Sequence, residues 1–572
     1  MGYTELKVLI IMAEDKNKHY PYRERSILVI DLTNDEYSVV PLKEKFCKKY
    51  IGGKALAFQM WDKYAEYEKL SSEDFYSGNP IVFALGSAAD LSYDYCASST
   101  IVSLSYETGT LVSYNFTSKY FVNSMASLGY SALVIKGRAR RLTAVDISKE
   151  KILIEINESY HLLTTTEVEE KLQGNSVISI GPVGELLLDY ASVVIDSKSV
   201  GRGGIGAMFG LKNLKVLSFN TENSFRKAYF PDKAEDISSY FLSQKLGNTN
   251  LLNESNKYGW AAIDGFKTRF DPRLWGLGGT DITPLAEMDW LTSLALGSNL
   301  GFFNYDKVEI LSQCCLELGF DPYSVGPLFI WMENAIKDKV VLYNMDKNNS
   351  RLENYLLFLE AIAKGKTHVA SFSKGVDKLS TYYGAKEDYN FTSHGKELLP
   401  LDLRALPSYA LAVALDDDTF VPWEMVGNKK KGKEAKALFT AQIYREMLED
   451  LGFNYKSTLK MLARDGGITD KKNRKLYKKL ADFLSISEGY IVDTEDLLKM
   501  AKEAFFENKR IIEKVNKPKS SISDIPIHFV NDMSSNYDKD EVVVIGRSLD
   551  SYHSLIEIEI DKLNALNTQE SK

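Results

Sequence analysis

Short runs of apolar, β-branched residues, separated by Gly, Asn, Asp or Pro, dominate the first 220 residues of the chain. Such runs predict strands, because these residues favour an extended backbone and the turn residues between them end each run. The predicted strands are Ser26–Leu32, Ile81–Leu85, Thr100–Leu104, Ala132–Ile135, Ile152–Ile156, Val177–Ile180, Ala191–Ile195 and Lys215–Phe219. We therefore expect a β-rich domain over residues 26–220, with residues 1–25 as an N-terminal arm.

From about Glu222 the apolar residues recur at helical spacing instead. The segments that show it most clearly are Val308–Glu317, Leu356–Ala363, Lys436–Leu451 and Glu495–Phe506. The sequence thus predicts an α+β protein, in which a β-rich N-terminal platform domain is followed by two mainly α-helical domains. We expect these helical domains to cover residues 221–394 and 395–572.

Composition excludes several classes of protein. The 572 residues are 44% hydrophobic, and 70 Lys and Arg against 78 Asp and Glu give a net charge of -8, which does not favour binding of nucleic acid. The basic runs Lys429–Lys436 and Lys471–Lys479 lack interleaved aromatic residues and are interpreted as solvated surface. Four cysteines without a C-x-x-C pair predict a cytoplasmic protein, and no apolar run is long enough for a membrane span.

A seven-residue pattern occurs twice in the helical part. Leu318–Ser324 reads LGFDPYS and Leu451–Ser457 reads LGFNYKS, each after an amphipathic segment. The glycine is typical of a helix end, and Asp321 or Asn454 then stands where the next helix could be capped. The pattern is either common helix punctuation or a pair of sites that face one ligand.

The segment Gly201–Gly210 reads GRGGIGAMFG and admits three interpretations. Gly201, Gly203 and Gly206 match G-x-G-x-x-G, with Glu222 near the position of a ribose-binding acid, which is typical of dinucleotide binding. Alternatively, the glycine N–H groups form an anion cradle flanked by the cations Lys198 and Arg202. The third interpretation is a tight turn where helix and strand pack closely.

Several segments, in this order and spacing, resemble the tungsten-dependent aldehyde:ferredoxin oxidoreductase family. They are YIGGKALA (50–57), IVFALGS (81–87), TGTLVSYN (108–115), LGYSALVIKGRA (128–139), IGPVGE (180–185), GRGGIGAMFGLKNLKVL (201–217), LALGSNLG (294–301), ELGFDPYSVG (317–326), LPLDLRALPSYALAVAL (399–415) and LEDLGFN (448–454). The resemblance implies a β platform beneath a metal that two pterins hold, with two helical domains closing over it.

The resemblance also implies site residues and a cofactor, a tungsten or molybdenum bispterin with Mg²⁺. The backbone of Asn115 would help to hold the Mg²⁺ between the pterin phosphates. The phosphate-binding stretch would comprise Lys198, Ser199, Val200, Arg202, Gly203 and Gly204. The two family motifs that bind the pterin edges correspond to residues 316–321 and 449–454, which places Asp321, Glu449 and Asn454 at the pterins.

The chain departs from the family at the iron–sulfur cluster. Members hold a [4Fe-4S] cluster with a C-x-x-C-x-x-x-C loop and a fourth cysteine that ends the second motif. Here Gly265–Ala286 contains no cysteine, and Asn454 stands at the fourth position. Because such clusters need thiolates, no [4Fe-4S] cluster is expected. The adjacent cysteines Cys314 and Cys315 are interpreted as packing residues.

Other family positions change as well. Ser98 replaces an arginine that contacts phosphate, and Leu316 replaces the first acid of the first motif. The proton-transfer carboxylate aligns at about Leu291, which leaves Asp289 as the candidate catalytic base. The family histidine falls within residues 416–425, which contain none, and Asp416–Asp418 fit an exposed acidic loop better than a base.

Three functional hypotheses follow. In the first, ordinary aldehyde oxidation is lost or altered, a bispterin is still bound, and electrons pass to a partner protein or a small acceptor. In the second, the protein is a redox-silent partner subunit or scaffold of an oxidoreductase complex. In the third, the protein is a dinucleotide-binding oxidoreductase. A redox partner protein and a second copy of the chain are the expected partners.

Overall fold

The computed structural model describes residues 24–237, 290–343, 345–385, 389–421, 432–454, 471–516 and 541–570, apart from residues 92, 94–95, 173, 175, 223–227, 229–231, 402, 404–405 and 420. The candidate base Asp289, the segment 265–286 and almost all of the predicted arm lie outside the described residues.

Two six-stranded sheets form the N-terminal part of the chain. The strands of the first sheet are β1 (Arg25–Asp31), β2 (Glu36–Leu42), β3 (Ile81–Leu85), β4 (Ser98–Leu104), β5 (Leu111–Thr117) and β6 (Tyr130–Lys136). Those of the second sheet are β7 (Thr143–Ser148), β8 (Ile152–Ile156), β9 (Ser176–Ser179), β10 (Val193–Ile195), β11 (Lys198–Val200) and β12 (Leu214–Asn220).

The two sheets share one topology. The first has the order β2-β1-β6-β3-β4-β5 and the second the order β8-β7-β12-β9-β10-β11, so each strand of the second sheet corresponds to the strand six places earlier. In both sheets the one parallel pair occupies the same place, β1 with β6 and β7 with β12, and the other neighbours are antiparallel. The β region is therefore a structural repeat that ends at equivalent edge strands, β5 and β11.

Helices complete both halves and form the rest of the molecule. In the β region they are α1 (Glu44–Lys49), α2 (Gly53–Tyr64), α3 (Tyr67–Leu70), α4 (Phe75–Gly78), α5 (Lys119–Ser127), α6 (Thr165–Lys171), α7 (Pro182–Glu185) and α8 (Ile205–Leu211). After it come α9 (Trp290–Leu296), α10 (Tyr305–Leu318), α11 (Pro322–Lys337), α12 (Arg351–Ala363), α13 (Val376–Tyr383), α14 (Pro407–Ala414), α15 (Glu434–Leu451), α16 (Lys471–Glu488), α17 (Thr494–Val515) and α18 (Glu541–Glu570). A two-stranded ribbon, β13 (Thr392–Ser393) with β14 (Lys396–Glu397), lies between α13 and α14.

One hydrophobic core joins the two sheets. Phe83 of β3 packs against Phe121 of α5 and Phe209 of α8, and Phe121 also contacts Phe219 of β12. The four rings are fully buried, and burial of each stabilises the fold by about 1.5–3 kcal/mol. The opposite face of the first sheet is covered by α2, where Trp61 is buried.

The predicted fold class is confirmed. Each predicted strand and each predicted helical segment overlaps an observed element of the same type, and the second half of the chain is helical. Strands β2, β5, β7 and β11 were not predicted from the sequence. Among the helices that the structure describes, none combines the length and the apolar character that crossing a membrane requires.

Candidate functional site

The second repeat of the LGF pattern ends a helix against the first sheet. α15 stops at Gly452, whose φ of +98° lies in the left-handed region that favours glycine. The N–H of Ser98, the first residue of β4, donates to the Gly452 carbonyl at 2.9 Å. Gly86, just after β3, lies so close that a Cβ there would collide with the Gly452 backbone. The helix end is thus seated between the end of β3 and the start of β4.

The first repeat is seated in the same way on the second sheet. α10 stops at Gly319, whose φ is +83°, and the N–H of Ser192 donates to the Gly319 carbonyl at 2.8 Å. Gly181, just after β9, leaves no room for a Cβ against the Leu318 backbone. Because β9 and β10 correspond to β3 and β4, the two helix ends occupy equivalent positions on a repeated platform.

Hydroxyl groups extend this equivalence to the edge strands. Ser98 Oγ lies 2.8 Å from Oγ1 of Thr117 on β5, and Ser199 Oγ on β11 donates to Ser192 Oγ at 2.8 Å. Asn454 belongs to the first of these groups, because its Nδ2 donates to Thr117 Oγ1 at 3.0 Å. The repeated pattern is therefore more than helix punctuation, since each copy joins a helix end to an edge strand.

Asp321 caps the helix that follows the first repeat, as expected. Its carboxylate accepts the N–H groups of Tyr323 and Ser324 at 3.1 and 3.0 Å and the Ser324 hydroxyl at 2.6 Å. Burial raises the pKa of Asp321 to about 6, although these hydrogen bonds and the nearby Arg202 act to lower it. Much of its acceptor capacity is therefore used within the protein.

Glu449, the acid that begins the second motif, retains an unused acceptor atom. It is 2% exposed, and Oε1 accepts from Nε of Arg445 at 2.8 Å. The other oxygen, Oε2, is buried without a hydrogen-bond partner among the described residues. Arg445 also pairs with Asp418 at 2.5 Å. A buried acceptor without a partner is costly, so this atom fits a ligand that supplies a donor.

Asn115 has a comparable atom on edge strand β5. Its Nδ2 donates to the Ser99 carbonyl at 3.3 Å, whereas Oδ1 is buried without a partner in the described part of the chain. Edge strands such as β5 and β11 leave alternate carbonyl groups outside the sheet ladder. Asn115 on β5 and Ser199 on β11 thus lie on edge strands that correspond in the two sheets.

The glycine segment shows the close packing of the tight-turn interpretation and the exposed cation of the anion-cradle interpretation. Ser105 Oγ donates to the Gly203 carbonyl at 2.8 Å, Tyr114 Oη donates to the Arg202 carbonyl at 2.9 Å, and the Tyr114 ring closes the space beside Gly201. Gly204, with a φ of +72°, precedes α8 and lies against Tyr106. Close packing therefore explains these glycines, while Lys198 is exposed and Val200 is buried on β11.

The strand order does not support the dinucleotide interpretation. β11 and β12, which flank the glycine segment, are separated by β10 and β9, and three successive antiparallel pairings make them antiparallel to each other. The helix between them, α8, has seven residues. A dinucleotide-binding unit requires parallel neighbouring strands joined by a longer helix, so the G-x-G-x-x-G match is incidental.

Arg202 is buried among protein acceptors. Its Nη1 donates to the Glu397 carbonyl at 2.9 Å, and Nη2 lies 3.9 Å from Asp418. Burial alone lowers its pKa, but Tyr114 and Asp418 outweigh that effect and raise it, so the guanidinium stays charged. Ser98, at the position of the family arginine, is fully buried. Of the two cations that flank the glycine segment, Lys198 is thus the exposed one.

The candidate proton-transfer positions contain no exposed base in the described residues. Leu291 is fully buried on α9. The expectation of an exposed acidic loop at residues 416–418 is wrong, because all three aspartates are half-buried and bonded. Asp416 pairs with Lys396 at 2.6 Å, Asp417 accepts from Gln442 at 2.8 Å, and Asp418 pairs with Arg445. These contacts make the loop a structural link between β14 and α15.

A cavity of about 300 Å³ lies beside α15 at Arg445 and Glu446, before the second helix end. It is lined by β5, α2, α15, α17, α18 and the loop that holds Asp416, Asp417 and Asp418, and Arg202 reaches it from the glycine segment. The site therefore combines a repeated pair of helix ends with a neighbouring cavity of mixed charge.

The cysteines are dispersed. Cys315 is buried on α10, and burial raises the pKa of the adjacent Cys314 to about 12, which suits packing residues. Cys96 is fully buried, and its Sγ donates to the Leu451 carbonyl at 3.3 Å beside the second helix end. Over the ranges that the structure describes, no group of three or more His, Cys, Asp or Glu side chains is arranged to hold a metal ion.

Ser192, Thr117 and Arg445 were not predicted from the sequence, and Ser98 was named only as the replacement for an arginine that contacts phosphate. A signal for the serines was present, since Ala97-Ser98 and Ala191-Ser192 each precede a β-branched strand. Arg445 shares a helix face with Glu449 four residues later, which is the spacing of an intrahelical ion pair.

Comparison with known proteins agrees with this architecture. The N-terminal domain of aldehyde ferredoxin oxidoreductase matches residues 27–221, and domains 2 and 3 of the same enzyme match residues 277–558. The tungsten-containing aldehyde ferredoxin oxidoreductase of Pyrococcus furiosus is 23% identical over 92% of this chain and 94% of its own. That of Thermococcus kodakarensis is 22% identical over 92% of this chain and 95% of its own.

Two further relatives belong to larger assemblies. A Pyrococcus furiosus protein named as the WOR-like subunit of aliphatic sulfonate oxidoreductase is 22% identical over 54% of this chain and 58% of its own. The active site complex BamBC of benzoyl coenzyme A reductase has the same fold, with a TM-score of 0.75, 16% identity, and coverage of 95% of this chain and 97% of that one. This chain belongs to the aldehyde ferredoxin oxidoreductase family.

Proposed function

We propose that this protein is an oxidoreductase subunit that holds a tungsten or molybdenum bispterin between its two equivalent helix ends and has no [4Fe-4S] cluster of its own. The observation that carries the proposal is the repeated seating of Gly319 and Gly452 on Ser192 and Ser98. The relatives named as tungsten-containing, which cover most of this chain, support the identity of the metal.

The polar atoms around the helix ends fit a pterin. Glu449 Oε2 and Asn115 Oδ1 are buried acceptors without partners among the described residues, and N–H groups of a pterin edge would satisfy such atoms. Asp321 and Asn454 occupy the corresponding ends of the two motifs. The backbones of Asn115 and Ser199, on equivalent edge strands, would hold Mg²⁺, and Lys198 would face the phosphates. When bound, a metal bispterin supplies two-electron redox chemistry.

The protein residues would position this group and shield it. Arg445 orients the Glu449 carboxylate from one side and leaves Oε2 open on the other. Leu291, in place of a carboxylate, removes a proton acceptor. Ordinary aldehyde oxidation would therefore be lost or altered. Without cluster thiolates, electrons would leave through a partner protein or a small acceptor, and the relative named as a subunit supports the first route.

A second candidate function is a redox-silent partner subunit or scaffold. The specific observation that favours it is the set of polar groups already engaged at the site: Ser98 is fully buried, Arg202 is held by Glu397 and Asp418, and Asp321 accepts three hydrogen bonds. Each of these contacts removes capacity to bind phosphate or pterin.

Pterin release separates the two functions. Protein purified from its native host would be denatured under oxidising conditions, and the fluorescent pterin product would be quantified against protein. The proposal predicts about two pterins for each chain. A pterin-free preparation that co-purifies with a cluster-bearing protein would establish the scaffold instead.

A further inference from the structure

The cavity beside Arg445 and Glu446 of α15 contains a lysine that the proposed function does not use. Lys509 lies on α17 and faces the cavity together with Phe505 and Ile512 of the same helix. Tyr552 and Ile556 of α18 continue this wall. The wall formed by α17 and α18 thus carries an apolar strip around the Lys509 amine, and its polar members are Asn508, Glu513 and His553.

Lys509 differs from the other cations of the cavity in its partners. Three of these cations form ion pairs with acids that also line the cavity: Lys54 with Glu446 at 2.5 Å, Lys396 with Asp416 at 2.6 Å, and Arg445 with Asp418 at 2.5 Å. Arg202, the fourth, faces Asp418 at 3.9 Å. In the described part of the chain no carboxylate lies within 4.0 Å of Lys509 Nζ, so its charge is not neutralised at contact distance.

The amine is held by aromatic groups instead. Nζ donates to Tyr552 Oη at 3.1 Å and lies 5.1 and 5.0 Å from the ring centroids of Phe505 and Tyr552. Tyr552 in turn donates to Gln442 Oε1 at 2.7 Å, and Gln442 Nε2 donates to Asp417. This chain of hydrogen bonds fixes the amine at the cavity wall and leaves donor capacity on Nζ.

We propose that this cavity binds a small organic monocarboxylate, with the carboxylate on Lys509 and the apolar body against the α17 and α18 wall. A charge-assisted hydrogen bond to the amine would replace the missing acid partner. The volume of about 300 Å³ admits a ring-sized body, since a dry cavity of about 150 Å³ holds benzene. The proposal rests on contacts within the cavity and does not require the bispterin or turnover.

Binding of benzoate to the full-length protein tests the proposal directly. Isothermal titration should show saturable binding of benzoate, and the Kd should rise about 10–100-fold in Lys509→Gln, which loses the charge-assisted hydrogen bond. Lys509→Arg should retain most of the affinity. Lys514→Gln is the matched control, since Lys514 lies on the same helix but pairs with Asp62 outside the cavity. Benzyl alcohol, which lacks the charge, should bind more weakly than benzoate.

The pH dependence gives a second readout on the unmodified protein. Burial lowers the pKa of Lys509 below its usual 10.5, while Asp417 and Glu513 raise it and Lys54 adds to the lowering. Burial lowers the pKa of Lys54, but Glu446 and Glu449 together raise it above its usual value, and burial raises the pKa of Tyr552, so neither group changes charge in this range. His553 also lines the cavity. Benzoate affinity should therefore fall as pH rises from 7 toward 10, and Lys509→Arg should abolish that fall.

Two results would overturn the proposal: no saturable benzoate binding by the unmodified protein, or equal affinity in Lys509→Gln at neutral pH. Both are independent of cofactor content. If a pterin-free preparation binds benzoate, the result supports this site and contradicts the proposed function. If a pterin-loaded preparation does not bind benzoate, the result supports the proposed function and contradicts this site.

Discussion

Ser98 and Ser192 hold equivalent positions at the two helix ends, each donating its backbone N–H to the carbonyl of a left-handed glycine, at 2.9 and 2.8 Å. The equivalence follows from the repeated sheet topology, which brings β4 and β10 to the same place in each half. The two helices that end there come from segments more than a hundred residues apart, yet the platform orients them alike.

Close backbone contact at the two helix ends predicts that Gly86 and Gly181 tolerate no side chain. Gly86→Ala and Gly181→Ala should each destabilise the protein by about 1–3 kcal/mol or more, because Cβ would collide with backbone that cannot move aside. Thermal unfolding measures the effect. Gly384→Ala is the control, since its φ of +61° carries a conformational cost of about 1–2 kcal/mol while nothing lies within 4 Å of the added Cβ. Equal losses at all three positions would contradict the seating.

The buried ion pairs of Arg445 predict that its replacement strongly lowers the free energy of unfolding. Arg445→Met removes the cation that contacts both Glu449 and Asp418, so the free energy of unfolding should fall by about 3–5 kcal/mol. Arg474→Met removes an exposed pair with Glu495 and should change it by about 1 kcal/mol or less. Chemical denaturation of both variants checks the difference. Similar midpoints for the two would show that Arg445 does not support the site.

A group of buried acids behind Arg202 predicts unusual pH dependence of stability. Burial raises the pKa of Glu107 well above its usual value, with further contributions from Glu397 and Asp189, and burial raises the pKa of Glu397 to about 7. A carboxyl whose pKa is raised by folding binds its proton more tightly in the native state. Its contribution to stability is therefore lost as pH rises from the unfolded pKa, near 4.5, through the folded pKa.

Replacing Glu107 tests whether stability falls with rising pH for this reason. Glu107→Gln keeps the shape and cannot ionise, so it should stabilise the protein by about 1–3 kcal/mol at pH 8 and by much less at pH 5. Melting curves at the two pH values measure the change. Glu150→Gln, on an exposed turn, should have little effect at either pH. A larger gain at pH 5 than at pH 8 would refute the assignment.

If the proposed function is correct, replacement of Glu449 should weaken retention of the cofactor. Glu449→Gln replaces the charged acceptor with a neutral amide, so affinity for a pterin edge should fall about 10–100-fold. Tungsten and molybdenum retained after extensive dialysis would be compared between the variant and the unmodified protein. Glu317→Gln is the control. Glu317 lies in the corresponding turn of the first motif, but the residue aligned with Glu449 is Leu316, so this variant should retain the full metal content. Unchanged retention in Glu449→Gln would remove Glu449 from the site.

Most strands in the middle of the sheets were predicted from the sequence, with β7 the exception, whereas three of the four edge strands, β2, β5 and β11, were not. β3 is apolar throughout, whereas edge strand β5 carries Ser113 and Asn115, both only half-buried. Edge strand β2 is mostly exposed and contains Pro41, which is tolerated where one side of the strand has no partner. Edge strands contact a neighbour on one side only, so they leave a weaker apolar signal.

The candidate site was predictable where its residues form a local pattern. The glycines of the LGF repeats gave both helix ends, because the left-handed cap is a local property. The cavity around Lys509 and the pairing of Arg445 with Asp418 depend on helices that the fold brings together across more than twenty residues of sequence. No periodicity encodes such contacts, which is also why the acidic loop was wrongly expected to be exposed.

The central feature of the proposed function is a bispterin held without a cluster. Tungsten, molybdenum, iron and acid-labile sulfide would be measured together on one sample of the protein, purified anaerobically from its native host and separated from partner proteins. We expect close to one tungsten or molybdenum for each chain, with iron and sulfide far below one. Four irons with four sulfides for each chain, or the absence of both heavy metals, would contradict it.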